Sequence, residues 1–115
     1  ARGHRRNMNP NTARIIKMIE TLPDTTTRPM FGYQCYSVRG KFFAGFGKKD
    51  ELIIRLSKED QLDALNDRRL KINPFSHGAK MGWVQLDGKS IANDKVIFDW
   101  IKKGYVHVQL LSNTR

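Results

Sequence analysis

Between Met30 and Leu56 the chain alternates β-forming runs with tight turn signals, and this stretch most restricts what it can fold into. Met30, Phe31, Tyr33, Cys35, Tyr36 and Val38 are β-formers, with Gly32 as the one weak point. Arg39-Gly40 offers a two-residue turn. Lys41 to Phe46 returns as a second strand carrying Phe42, Phe43 and Phe46, and Gly47-Lys48-Lys49-Asp50 makes the next turn. In Glu51 to Leu56, Leu52, Ile54 and Leu56 share one face, while Glu51, Ile53 and Arg55 share the other. Three consecutive strands joined by tight turns predict an antiparallel meander.

Helical patterns flank this sheet. Ile15, Ile16, Ile19 and Leu22 recur at helical spacing beside Met18, Asn11 is placed to cap them, and Pro23 stops them, which predicts a helix over 11–22. Thr25 to Arg28 reads as a linker. Ser57, with Asp60 three residues on, predicts the start of a short helix whose apolar edge is Leu62 and Leu65. Asp67 to Lys80 is irregular and basic, and Pro74 excludes a central strand there. Met81 to Leu86, with Trp83 and Val84, predicts a fourth strand. Asn93 or Asp94 then caps a last helix carrying Ile97, Ile101, Tyr105, Val108 and Leu111. Val106, Val108 and Leu110 would also suit a strand, but the helical period runs unbroken from Ile97, although Gly104 costs about 1 kcal/mol relative to Ala. The expected fold is α+β: a three-strand antiparallel meander plus a fourth strand, with the N- and C-terminal helices packed on one face. Residues 1–10 are expected to form a flexible basic arm and residues 11–115 a single domain.

Composition limits the function. At 115 residues the chain supports one core, and no run approaches the roughly 18 apolar residues of a membrane span. The N-terminal segment has no apolar stretch of the secretory kind. The single cysteine, Cys35, excludes an internal disulfide framework and suits a reducing, cytoplasmic setting. Lys and Arg exceed Asp and Glu by 21 to 11, giving +10. Such a field attracts polyanions, of which nucleic acid is the commonest.

Conventional catalytic patterns are weak. His4, His77, His107 and Cys35 lack the short paired spacings of a metal site, so no metal or cofactor is expected. Cys35 with His77 is the one pair imaginable as nucleophile and base, yet a lone cysteine on an apolar strand is usually a small core residue. The glycines of Gly40 to Gly47 lack the Lys-Ser/Thr that a phosphate loop requires. Asp60, Asp63 and Asp67 fall on the exposed side of a short helix. Phe31, Tyr33, Tyr36, Phe42, Phe43 and Phe46 are interleaved with Arg28, Arg39 and Lys41, as in single-strand binders, but a domain this small needs such rings for its core. The expected nucleic-acid contacts are Arg68, Arg69, Lys71 and Lys80, with Arg39, Lys41, Lys48 and Lys49 at the hairpin turns as a second set. No catalytic residue is expected.

Arg28-Pro29-Met30-Phe31-Gly32, followed by Gly40-Lys41-Phe42-Phe43-Ala44, resembles the N-terminal domain of the TfoX/Sxy family. Leu52 to Leu56, Pro74-Phe75 and Trp100 fall where similar elements occur, and the likeness spans about Thr12 to Leu111. It implies a bacterial regulatory protein, since better-known relatives promote competence by acting on transcription with a cyclic-AMP-responsive activator. Those relatives carry a second, C-terminal helical domain, which is not expected here. Within Arg28 to Gly32 the resemblance implies an architectural role, with Pro29 setting strand entry and Phe31 filling the core. Similar basic domains of the YjbR type are thought to bind DNA, which supports the charge argument by analogy. The combined expectation is a non-enzymatic cytoplasmic regulatory module contacting nucleic acid or a transcription complex. The alternatives are a protein-interaction adaptor, as a monomer or a homodimer, and a small-molecule binder, which would need a pocket.

Overall fold

The structure, a computed structural model, describes residues 9–91 and 93–113; of the arm expected at residues 1–10, residues 1–8 lie outside that description. The element order is α1 (Pro10–Glu20), β1 (Thr25–Met30), β2 (Tyr33–Val38), β3 (Lys41–Gly47), β4 (Glu51–Arg55), α2 (Lys58–Leu65), β5 (Asn73–Pro74), β6 (Trp83–Asp87) and α3 (Asp94–Asn113). The six strands form one sheet in the order β1-β2-β3-β4-β6-β5, with every neighbouring pair antiparallel. The expected α+β architecture is what the chain adopts, with two strands more than the pattern suggested.

Both additional strands have a local cause. Thr25 to Arg28 is not a linker but the start of β1, paired residue for residue with β2 from Thr25↔Val38 to Met30↔Tyr33. The break at Gly32 is a hairpin turn: Phe31 has φ +55° and Gly32 φ +82°, the two left-handed positions of a type I′ turn. Arg39 and Gly40 repeat the device between β2 and β3, with φ +54° and +83°. The second addition is the two-residue β5 on the outer edge of β6, where Pro74 needs no ladder donor.

Helix starts follow sequence chemistry with small offsets. Asn9, not Asn11, caps α1, its side chain accepting from the Asn11 N–H at 2.9 Å, with Pro10 in the first turn. Ser57 Oγ accepts from the Asp60 N–H at 3.0 Å, as expected of a cap for α2. The buried face of α2, however, is Gln61 and Ala64, whereas Leu62 is 62% exposed. Gln61 earns burial through its amide, which donates to the carbonyls of Ala79 and Trp83 at 2.8 and 3.3 Å. Asn93 Oδ1 accepts from Val96 N–H at 3.1 Å at the start of α3.

The main core lies between one face of the sheet and α1 and α3. Tyr36, Val38, Phe43, Ala44, Phe46, Leu52, Ile54, Val84 and Leu86 from the strands meet Ile15 and Ile19 of α1 and Ile97, Trp100, Ile101, Tyr105 and Val108 of α3. Phe43 and Tyr105 contact edge to face with ring centroids 5.4 Å apart. Helix α3 crosses β3 and β4 at Gly104. A Cβ there would stand 2.6 Å from the Arg55 carbonyl oxygen and 3.0 Å from Ile54 Cγ2. The glycine that weakens the helical pattern is thus the residue that lets the helix settle on the sheet. Gly104→Ala is expected to lower stability by about 1–3 kcal/mol, strain outweighing the roughly 1 kcal/mol gained in helix propensity. Urea unfolding would show a lower midpoint; an unchanged or higher midpoint would contradict the close crossing.

Candidate functional site

Strand residues of the opposite parity face away from the helices, and no helix among the described residues covers them. They are Arg28 and Met30 of β1, Tyr33 and Cys35 of β2, Phe42 of β3, Ile53 of β4 and Trp83 of β6, joined by Phe75 and His77 beyond β5. The central strand β3 contributes Gly45 and Gly47 on this side, opposite Cys35 and Tyr33, while Ala44 and Phe46 point into the core. Neighbouring side chains take up the room over these glycines, Cys35 Sγ at Gly45 and the Glu51 carboxylate at Gly47, and a trough lies beside them on the same face. The associated cavity has a volume of about 620 Å³ and is lined by Met30, Phe31, Tyr33, Cys35, Phe42, Ile53, Phe75, His77 and Trp83.

Rings lean over this trough from both sides. Tyr33 lies across β3, and its hydroxyl donates to Glu51 Oε2 on β4 at 3.4 Å. A Cβ at Gly47 would collide with the Glu51 carboxylate, so the glycine is what admits it. From the other margin Phe75 meets Tyr33 edge to face at 5.8 Å, and His77 meets Phe75 at 5.4 Å. The Arg28 guanidinium sits 5.5 Å from the centre of the Phe42 ring. Under these groups Cys35 and Ile53 are 6% and 5% exposed. Phe31 stands apart at the hairpin tip: it is 94% exposed, so it does not fill the core.

Burial sets the protonation chemistry. Desolvation pushes the Cys35 thiol up, and the nearby Arg28 only partly opposes this. Cys35 and His77 do line the same cavity, but a thiol held in its neutral form is a weak nucleophile. Burial, reinforced by the Glu51 carboxylate, also raises Tyr33 above the ordinary phenol range. Among the described residues no group of three or more His, Cys, Asp or Glu could hold a metal ion.

The basic residues expected to contact nucleic acid fall at both ends of the sheet. Lys48 and Lys49 lie in the turn after Gly47, at the same end as Phe31. Arg68, Arg69 and Lys71 lie in the loop before β5, beside Asp87 at the same end of β6. Arg39 and Lys41 mark the opposite end, as does Lys80 in the short 3-10 turn before β6. Arg69 is engaged by Asp67, whose two oxygens accept from Nε and the terminal guanidinium nitrogen at 2.9 and 2.8 Å. Arg28, Met30, Ile53, Phe75 and Trp83 do not stand out as a set in the sequence. The available signal was the alternation Ala44-Gly45-Phe46-Gly47, which puts bulk on one face and space on the other.

Asp67 anchors the basic loop. Besides Arg69, it accepts from Trp100 Nε1 on α3 at 2.8 Å, and its side chain is 6% exposed. The expectation that Asp67 belongs to an exposed helical face is therefore corrected. Hydrogen bonds from Arg69, then Trp100, hold its carboxyl well below the usual range against the opposing effect of desolvation.

The sequence model of the YjbR family matches residues 20–107, and the chain belongs to that family. A search of curated proteins finds no match. Among solved structures the chain is similar to the crystal structure of Deinococcus radiodurans protein DR2400, with a DUF419 domain. The TM-score is 0.72 at 13% identity, covering 89% of this chain and 83% of that one, a likeness of fold alone. These findings correct the TfoX/Sxy resemblance: the motifs that carried it, Arg28 to Gly32 and Gly40 to Ala44, contain hairpin-turn residues of this chain and do not mark that family. The competence and transcription-regulation roles attached to that resemblance lose their support with it, and neither finding supports DNA binding. No helix among the described residues is long and apolar enough to cross a membrane.

Asp67 contributes stability that is fully present above the pKa of an unfolded aspartate, about 3.9, and is lost as pH falls below it. Asp67→Asn is expected to cost about 1–3 kcal/mol at pH 7. Urea midpoints of the two proteins should converge between pH 5 and about pH 2; a constant gap would contradict the assignment.

Proposed function

We propose that this chain is a non-enzymatic nucleic-acid-binding module whose contact surface is the uncovered face of the sheet. The observation that carries the reading is the setting of the trough. Aromatic rings occupy a face that no helix among the described residues covers, Arg28 lies on its wall, and Lys48 and Lys49 stand at one end. Phosphates would meet these cations, with Arg68 and Lys71 extending the same end of the sheet. The net charge of +10 favours the encounter. The buried, free Cys35 accords with a cytoplasmic location.

A protein-interaction adaptor, monomeric or homodimeric, is the second reading. The observation favouring it is the apolar exposure of Leu62 on α2 and of Val106 and Leu110 on α3, at 62%, 49% and 60%. These residues lie away from the trough, so the two readings predict different sensitive surfaces.

Titration with a labelled oligonucleotide at 50 and 200 mM salt separates them. Binding is expected to fall steeply with salt. The double variant Lys48→Glu/Lys49→Glu should weaken it and flatten the log–log salt slope by roughly 1.4–1.8, two phosphate contacts' worth. Val106→Ser/Leu110→Ser should leave it unchanged. Absent binding at the lower salt would overturn the proposal.

A further inference from the structure

We infer that the trough receives unpaired nucleobases, with Phe31 as the ring on which the first base stacks; this rests on the proposed nucleic-acid reading and names its ligand as a single strand. Three observations converge on it. The first is shape: a volume of about 620 Å³, walled by Tyr33, Phe42, Phe75 and Trp83, suits flat apolar rings. A paired duplex presents phosphates and groove edges and keeps its base faces stacked inside. Only a strand with unpaired bases offers faces to such walls.

The second is Phe31. A bulky residue with φ +55° is a backbone outlier. Asn and Gly suit such a position better, and Gly32 already fills the second site of the turn. The ring is 94% exposed, so packing in the core does not account for it. It nevertheless contributes to the lining of the cavity. The turn thus holds an aromatic side chain in solvent at the trough's edge, in a place where folding alone favours a small polar residue.

The third is the charge around the opening. Arg28 stacks beside Phe42 on the wall, while Lys48 and Lys49 flank the end nearest Phe31. A strand entering past Phe31 would set its phosphates beside these lysines and its bases over the rings. At that end the Glu51 carboxylate accepts from Tyr33 Oη at 3.4 Å and from the Lys49 N–H at 2.9 Å, tying the ring to the turn that carries the lysines.

The test uses the full chain and a 12-nucleotide strand carrying one 2-aminopurine, alongside its duplex and adenosine monophosphate, all at the same salt. The strand is expected to bind at least tenfold tighter than the duplex, with quenching of 2-aminopurine fluorescence. Phe31→Asn should retain the wild-type melting temperature or exceed it, because asparagine suits the turn. It should weaken strand binding by roughly tenfold, as loss of one stacked base requires, while Phe31→Tyr preserves it. Wild-type affinity in Phe31→Asn, or equal affinity for duplex and strand, would overturn this inference and leave the nucleic-acid reading standing. Adenosine monophosphate binding as tightly as the strand would overturn the strand in favour of a free nucleotide. Binding to none of the three would remove both the inference and the function on which it rests.

Discussion

The fold depends on the close seating of α3 across β3 and β4. Gly104 brings the helix backbone against the Arg55 carbonyl, and Ile97, Ile101, Tyr105 and Val108 fill the space on either side. Helix α1 adds Ile15 and Ile19 to the same layer. All the helical cover identified in the main core is therefore on one side of a six-stranded sheet. An antiparallel sheet tolerates this, because alternating side chains can make one face apolar and leave the other to solvent or a ligand.

What is unusual is the content of the other face. Simple alternation would make it polar, but the chain places Met30, Tyr33, Cys35, Phe42, Ile53 and Trp83 there. The absence of side chains at Gly45 and Gly47 lets Tyr33 lie across β3, and Phe75 closes toward it from the far edge. Cys35 and Ile53 are buried beneath these rings although they lie outside the main core cluster. The second face is thus a small aromatic layer with a recess in it. Half-buried rings retain faces available to a partner.

Much of this architecture was legible in local chemistry. The Arg39-Gly40 turn, the Gly47–Asp50 turn, the Ser57 cap and the unbroken period of α3 are each written in a few adjacent residues. The separate β1 was not, because Phe31 occupies a left-handed position that sequence preference gives to Asn or Asp, so the turn was hidden inside an apolar run. Burial of Gln61 and Asp67 was equally hidden, since their partners at Ala79, Trp83 and Trp100 are distant in sequence. The aromatic series resolved into two groups by strand parity: Tyr36, Phe43 and Phe46 entered the core, while Tyr33 and Phe42 face the trough. The loop and turn cations were visible as residues, but their division between the two ends of the sheet depends on register.

Family membership fixes the ancestry of the scaffold, and the function proposed here rests on the face it leaves uncovered. The central claim is that this face, and not the helical side, meets the partner. Amide chemical-shift mapping with a single-stranded oligonucleotide tests it directly. The account predicts perturbations concentrated at Tyr33, Cys35, Gly45, Gly47 and Ile53, with the amides of α1 and the outer side of α3 unmoved. Shifts centred on Leu62, Val106 and Leu110, with the β3 glycines silent, would contradict it.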